Sequence, residues 1–153
     1  MQITFIHLFI ALFSCCHPER QWSESMRKAA LEKVEIPWNE GQKMYTDSLG
    51  NIINIQYREY DLNDDGKTEL LLETSGSYYL WGSSECACFI LNQQGEILLE
   101  FIGGELSVLN SKTDGYKDLQ IQGKKASVGY QWMTNKYVLN EIGWTLTSIS
   151  ISV

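Results

Sequence analysis

The stretch YDLNDDGKTELLLE, Tyr60 to Glu73, sets oxygen-bearing side chains around one glycine, between two strand-like segments. Before it, NIINIQYREY (residues 51–60) alternates and is rich in Ile and Tyr. After it, TELLLET (residues 68–74) is a short apolar run. Both patterns suit extended chain, and Gly66 permits the sharp reversal between them. The stretch therefore reads as a polar loop joining two neighbouring strands, which makes the chain a β protein at its centre.

The same alternation continues outward. CACFILN and EILLEFI are joined by QQG, a hairpin signal with Gly95 in the turn. ELSVLN, YKDLQIQG, ASVGYQWM, KYVLN and WTLTSISIS follow, each flanked by turn chemistry. Upstream, SESMRKAALEKVEI has Ser23 or Ser25 as a hydroxyl N-cap, good helix formers, and apolar positions at Met26, Ala29, Ala30, Leu31 and Val34. Pro37 is expected to end this helix. Its narrow apolar face suits covering an edge or one face of a sheet. The fold expected is mainly antiparallel β, with about eight or nine short strands in a sandwich or curled sheet and one N-terminal helix. An α+β variant with a small helix is the alternative.

The chain has 153 residues, 44% hydrophobic and 12% aromatic, enough for one domain with a real core. Its formal net charge is −7, and the basic pairs Arg27-Lys28 and Lys124-Lys125 make no extended patch. Nucleic acid is therefore not an expected partner, because phosphate-backbone binding needs clustered Lys and Arg.

Residues 1–16, MQITFIHLFIALFSCC, hold an apolar run from Ile3 to Phe13 broken by Thr4 and His7. The run is too short to span a bilayer as a helix and fits the core of a secretory signal. A cleaved secretory peptide and a buried N-terminal strand both remain compatible with it. Ending in Leu12-Phe13-Ser14-Cys15, it resembles the lipobox of bacterial lipoproteins, although no basic residue precedes the core and Phe13 is bulky for its place. The resemblance implies lipidation at Cys15, with Cys16 the second candidate. It also implies an envelope location, periplasmic or surface side, with the membrane as a partner through the anchor. The division that follows is a signal peptide at 1–14, a lipidated cysteine and tether at 15–22, and one β-rich domain at 23–153.

The acidic loop has two readings. Asx-rich hairpin loops occur without metal, their carboxylates accepting backbone N–H groups. Alternatively, Asp61, Asn63, Asp65 and Glu69, with the backbone carbonyl of Lys67, could converge on a hard cation such as calcium, which takes six to eight oxygens. Packed closely, these carboxylates repel one another unless a cation is present. The spacing contains the D-x-[DN]-x-[DN]-G core of an EF-hand loop, but Leu72 stands where the bidentate glutamate would be, and strands flank the loop. DLNDDGKTELLL is similar to the calcium loop of FG-GAP and VCBS-type β repeats, D-x-N-x-D-G-x-x-[DE] between two strands. That resemblance implies Asp61, Asn63, Asp65 and Glu69 as side-chain ligands and Lys67 as a carbonyl ligand. It implies that Asp64 points to solvent and that the calcium is structural. Affinity of the order of 10⁻⁴–10⁻³ M is expected for an extracellular module. SKTDGYKDLQI (residues 111–121) echoes the loop, with Asp114-Gly115 and Asp118 matching Asp65-Gly66 and Glu69 and Lys112 matching Asn63. It reads as a copy that kept the turn and lost the metal.

Cys86 and Cys88 stand at i and i+2, where extended backbone holds their Cβ atoms about 7 Å apart, too far for a disulfide without a kink. They read as two half-buried thiols or as a strained, reducible disulfide. Beyond the signal the one histidine is His17, so histidine-based catalytic triads and zinc sites have no material. The chain is expected to be non-catalytic, binding a protein or glycan at the envelope, with Tyr78, Tyr79 and Trp81 as candidate contacts. A carboxylate-dependent hydrolase of envelope polysaccharide is the alternative, and a purely structural lipoprotein the third reading.

Overall fold

The computed structural model describes residues 21–76, 86–123 and 126–144. Among them are one helix and ten strands in three sheets, all strand pairs antiparallel. The mainly antiparallel β fold with one helix is what the residue pattern predicts.

Helix α1 (Glu24–Lys33) starts where Ser23 Oγ accepts the Met26 N–H. Glu24 in the first turn and Lys33 in the last complement the helix dipole. Pro37 does not end the helix, contrary to expectation. The Ile36 N–H reaches back to the Leu31 carbonyl at 3.0 Å, and Glu35 between them takes a left-handed φ of 59°. This is a Schellman closure, and Leu31 and Ile36 are buried in one cluster as that motif requires. The chain is turned before the proline is reached.

A small hairpin follows, β1 (Trp38–Asn39) with β2 (Met44–Tyr45). The first four-stranded sheet then runs β3 (Asn54–Tyr60), β4 (Glu69–Ser75), β5 (Ala87–Leu91) and β6 (Ile97–Ile102), in that spatial order. The β5–β6 turn is the expected one: Gly95 has φ 77°, its N–H bonds to the Asn92 carbonyl, and Asn92 Oδ1 accepts the N–H groups of Gln94 and Glu96. The chain leaves for the second sheet through Gly103 and Gly104, both at positive φ. That sheet is again a meander of β7 (Glu105–Thr113), β8 (Tyr116–Gln122), β9 (Ala126–Met133) and β10 (Lys136–Trp144). KYVLN and Trp144, expected in separate strands, share β10, which stays continuous across an irregularity between Leu139 and Glu141. Residues beyond 144, with the rest of WTLTSISIS, lie outside the described residues.

The two sheets face each other as a sandwich. Leu71, Cys88, Ile90 and Phe101 of the first share one cluster with Leu106, Leu119, Ile121, Trp132 and Tyr137 of the second. The opposite face of the first sheet, Leu70, Leu72, Ala87, Phe89 and Leu91, packs under α1 with Trp22, Ala30, Leu31 and Ile36. The central strands β4 and β5 are thus covered on both sides, which is why LLL and CFIL read as continuous apolar runs rather than alternating ones.

Candidate metal loop

Residues 61–68 connect β3 to β4 beyond their last ladder pair, Tyr60 with Glu69. Two left-handed residues, Asp64 at φ 59° and Gly66 at 81°, curl the loop. Its acidic side chains then hold its own backbone. Asp61 Oδ2 accepts the Gly66 N–H at 3.0 Å and Asn63 Oδ1 the Asp65 N–H at 3.1 Å. Asp65 Oδ1 accepts the Lys67 N–H at 2.7 Å, and Glu69 Oε2 the Leu62 N–H at 2.9 Å. Asn63 Nδ2 also donates to Asp65 Oδ2. The four side chains named from spacing therefore share one loop, each ordering the turn through an amide.

Amide bonding does not satisfy all the oxygens. Asp61 Oδ1 is buried and unpartnered, one of two such side-chain atoms among the described residues, the other being Arg27 Nε. Glu69 is buried, and its carboxyl is pushed above the usual range, first by burial and then by the charges of Asp65 and Asp61; the Leu62 amide opposes this. A loop with an orphaned carboxylate oxygen and mutually repelling acids has the donor chemistry of a hard-cation site. Among the described residues no group of three His, Cys, Asp or Glu side chains forms such a site. Asp61, Asp65 and Glu69 therefore share the loop without forming a three-acid ligand group as they stand.

The second sheet presses on the loop. The Lys117 N–H donates to the Leu62 carbonyl at 2.7 Å, and Lys117 Nζ to the Asp61 carbonyl at 2.9 Å. Asp64, expected to point to solvent, is half exposed yet held between Lys112 at 2.5 Å and Lys117 at 2.6 Å. Hydrogen bonds from Lys112 and then Lys117 lower its carboxyl to about 2. Asn63 Nδ2 lies 3.4 Å from Tyr116 Oη, and Tyr137 Oη donates to the Lys117 carbonyl. Tyr116 itself stacks on Trp132, ring centroids 3.7 Å apart. The echo segment supplies this clamp: Lys112, its counterpart of Asn63, is an ion-pair partner for the first loop. Its turn carries Asp114 and Gly115 at positive φ, and Asp118 is buried with Thr113 Oγ1 donating to it.

On the other side Gln21 and Trp22 close over the loop. Gln21 donates its N–H to Glu59 and its side-chain amide to the Gly66 carbonyl, and accepts from the Thr68 N–H; the Trp22 indole donates to the Thr68 carbonyl. The lysines, Tyr116, Gln21 and Trp22 are not legible in the sequence because they are distant from the loop along the chain. The one available signal was the match of Lys112 to Asn63.

Cys86 and Cys88 are thiols whose sulfurs lie 3.7 Å apart. Cys88 is buried between the sheets, and burial, then the neighbouring Cys86, pushes its thiol far above the usual range. Cys15, Cys16, Tyr78, Tyr79 and Trp81 lie outside the described residues. Among those described, no helix is long and apolar enough to cross a membrane. Compared with known proteins, the chain matches no family model, no curated protein and no solved structure.

Proposed function

We propose that this chain is a non-catalytic β domain of the bacterial cell envelope, lipid-anchored through Cys15 with Cys16 as the second candidate. Its Asp61–Glu69 loop holds a structural calcium ion, as in the FG-GAP and VCBS-type loops it resembles, and its surface binds a protein or glycan partner. The observation that carries the calcium reading is the buried, unpartnered Asp61 Oδ1 in a loop whose acids repel one another. Asp61, Asn63, Asp65 and Glu69, with the Lys67 carbonyl, would hold the ion. Its charge would offset their repulsion. The chain's own part is structural: the loop fixes the β3–β4 register and presents Asp61 and Leu62 carbonyls to Lys117 of the facing sheet.

Thermal unfolding in EGTA and then in excess calcium tests this. With the ion at about ten times a millimolar dissociation constant, linkage gives about 1.4 kcal/mol, which raises Tm by roughly 3–6 °C. Asp61→Ala and Asp65→Ala should abolish the rise, while Asp64→Asn should keep it, since Asp64 is engaged by lysines instead. An unchanged midpoint in the parent chain would reduce the loop to a hydrogen-bonded turn. For the anchor, labelling with a radioactive fatty acid should be lost in Cys15→Ala and kept in Cys16→Ala; labelling of neither cysteine refutes lipidation.

A further inference from the structure

We infer that the groove between α1, the β1–β2 hairpin and β3 is a binding cleft for a neutral oligosaccharide. This deepens the partner half of the proposed function and rests on that reading. The groove has a volume of about 1190 Å³, above the roughly 300–1,000 Å³ of small-molecule sites and large enough for more than a single small molecule. Trp38 lies on its wall 44% exposed, held edge-on by Tyr45 with ring centroids 5.0 Å apart. Tyr57 also lines it, beneath the Arg27 guanidinium, 5.1 Å from the ring centroid. Neither the Tyr45 nor the Tyr57 hydroxyl has a hydrogen-bond partner among the described residues. A rigid, half-exposed indole offers a flat face to the C–H side of a sugar ring, and the phenols offer hydroxyl partners at small entropic cost.

Charge narrows the occupant. Of the charged side chains lining the groove, Arg27 is paired with Glu59 at 2.7 Å and Lys43 with Glu40 at 2.9 Å. Glu24 and Lys28 remain, one of each sign. The lining is thus balanced and complements an uncharged, hydroxyl-rich chain better than a phosphate or polyuronate. Leu31 is its one aliphatic residue among those described, and its apolar lining is otherwise aromatic, from Trp22, Trp38, Tyr45 and Tyr57.

The test offers the purified full chain four hexasaccharides: β-1,4-glucan, β-1,4-N-acetylglucosamine, α-1,4-glucan and polygalacturonate. A proline-rich decapeptide is offered beside them, with tryptophan fluorescence and calorimetry as readouts. At least one neutral hexasaccharide should bind, about tenfold more weakly to Trp38→Ala and more weakly to Tyr57→Phe, with the polyuronate excluded. Four results would overturn the proposal: no neutral sugar bound, binding equal in Trp38→Ala, the peptide bound instead, or self-association that Trp38→Ala abolishes. The calcium-dependent rise in Tm, measured on the same preparation, should be unchanged by Trp38→Ala. A missing sugar signal beside an intact calcium response would therefore remove the cleft and leave the calcium domain standing.

Discussion

At the scale of the residue, Asp64 shows how a side chain can sit in a ligand-rich sequence without being a ligand. On left-handed backbone, its carboxylate pairs with Lys112 and Lys117 of the facing sheet. A carboxyl lowered by such pairing stabilises the fold at neutral pH, and that contribution disappears as pH falls from the ordinary aspartate value of about 3.9 toward about 2. In urea titrations at pH 5 and pH 2.5, Asp64→Asn should thus be less stable than the parent at the higher pH and less stable by a clearly smaller margin at the lower. A constant difference at both would show that the lysines are not what Asp64 serves. The effect should shrink with added salt, because the pair is half exposed. Oxygen spacing alone makes Asp61, Asn63, Asp65 and Glu69 legible, since alternate residues on a curled loop share a side. The lysine clamp is not legible, because Lys117 meets Asp61 from 56 residues away.

At the scale of the element, strands declared themselves through alternation and turns through glycine, but ends were less readable. Pro37 is a strong breaker in sequence, whereas the helix is closed earlier by Glu35, a residue with no evident preference for left-handed backbone. The strands at the centre of the first sheet lost their alternation because both faces are covered. The crossing between sheets carries its own prediction. A Cβ on Gly104 would stand 2.6 Å from Ile121 Cγ2 and 3.1 Å from the Gln122 carbonyl oxygen, on a backbone at φ 86°. Gly104→Ala should therefore cost roughly 2–4 kcal/mol. Gly95→Ala, with open space around its Cβ and the same left-handed strain, should cost only about 1 kcal/mol. Equal losses in chemical unfolding would mean that contact at the crossing contributes nothing.

At the scale of the molecule, three layers are stacked: helix, first sheet, second sheet. The first sheet is shared between both clusters, so Leu71 and Leu72, adjacent in sequence, serve different interfaces. Each is fully buried, and truncation to Ala should cost about 2–5 kcal/mol. Native-state hydrogen exchange should find β4 and β5 the slowest amides and the β10 edge faster. Slow exchange confined to the second sheet would contradict the layered core. Composition and alternation made the sandwich readable as a class. The order of the strands and the single passage between sheets are fixed by contacts that no local pattern records.

Gln21 also determines how the domain would bear a pull. Tension along the N-terminal side of the chain arrives first at Gln21 and Trp22, not at the opening turn of α1. Their bonds to Glu59, Gly66, Thr68 and Gln93 engage β3, the loop after it and the β5–β6 turn together. Several bonds then share the force at once instead of parting one after another. The helix lies behind this clasp, outside the load path, so the sandwich can be tugged from that side without being unwound from its end.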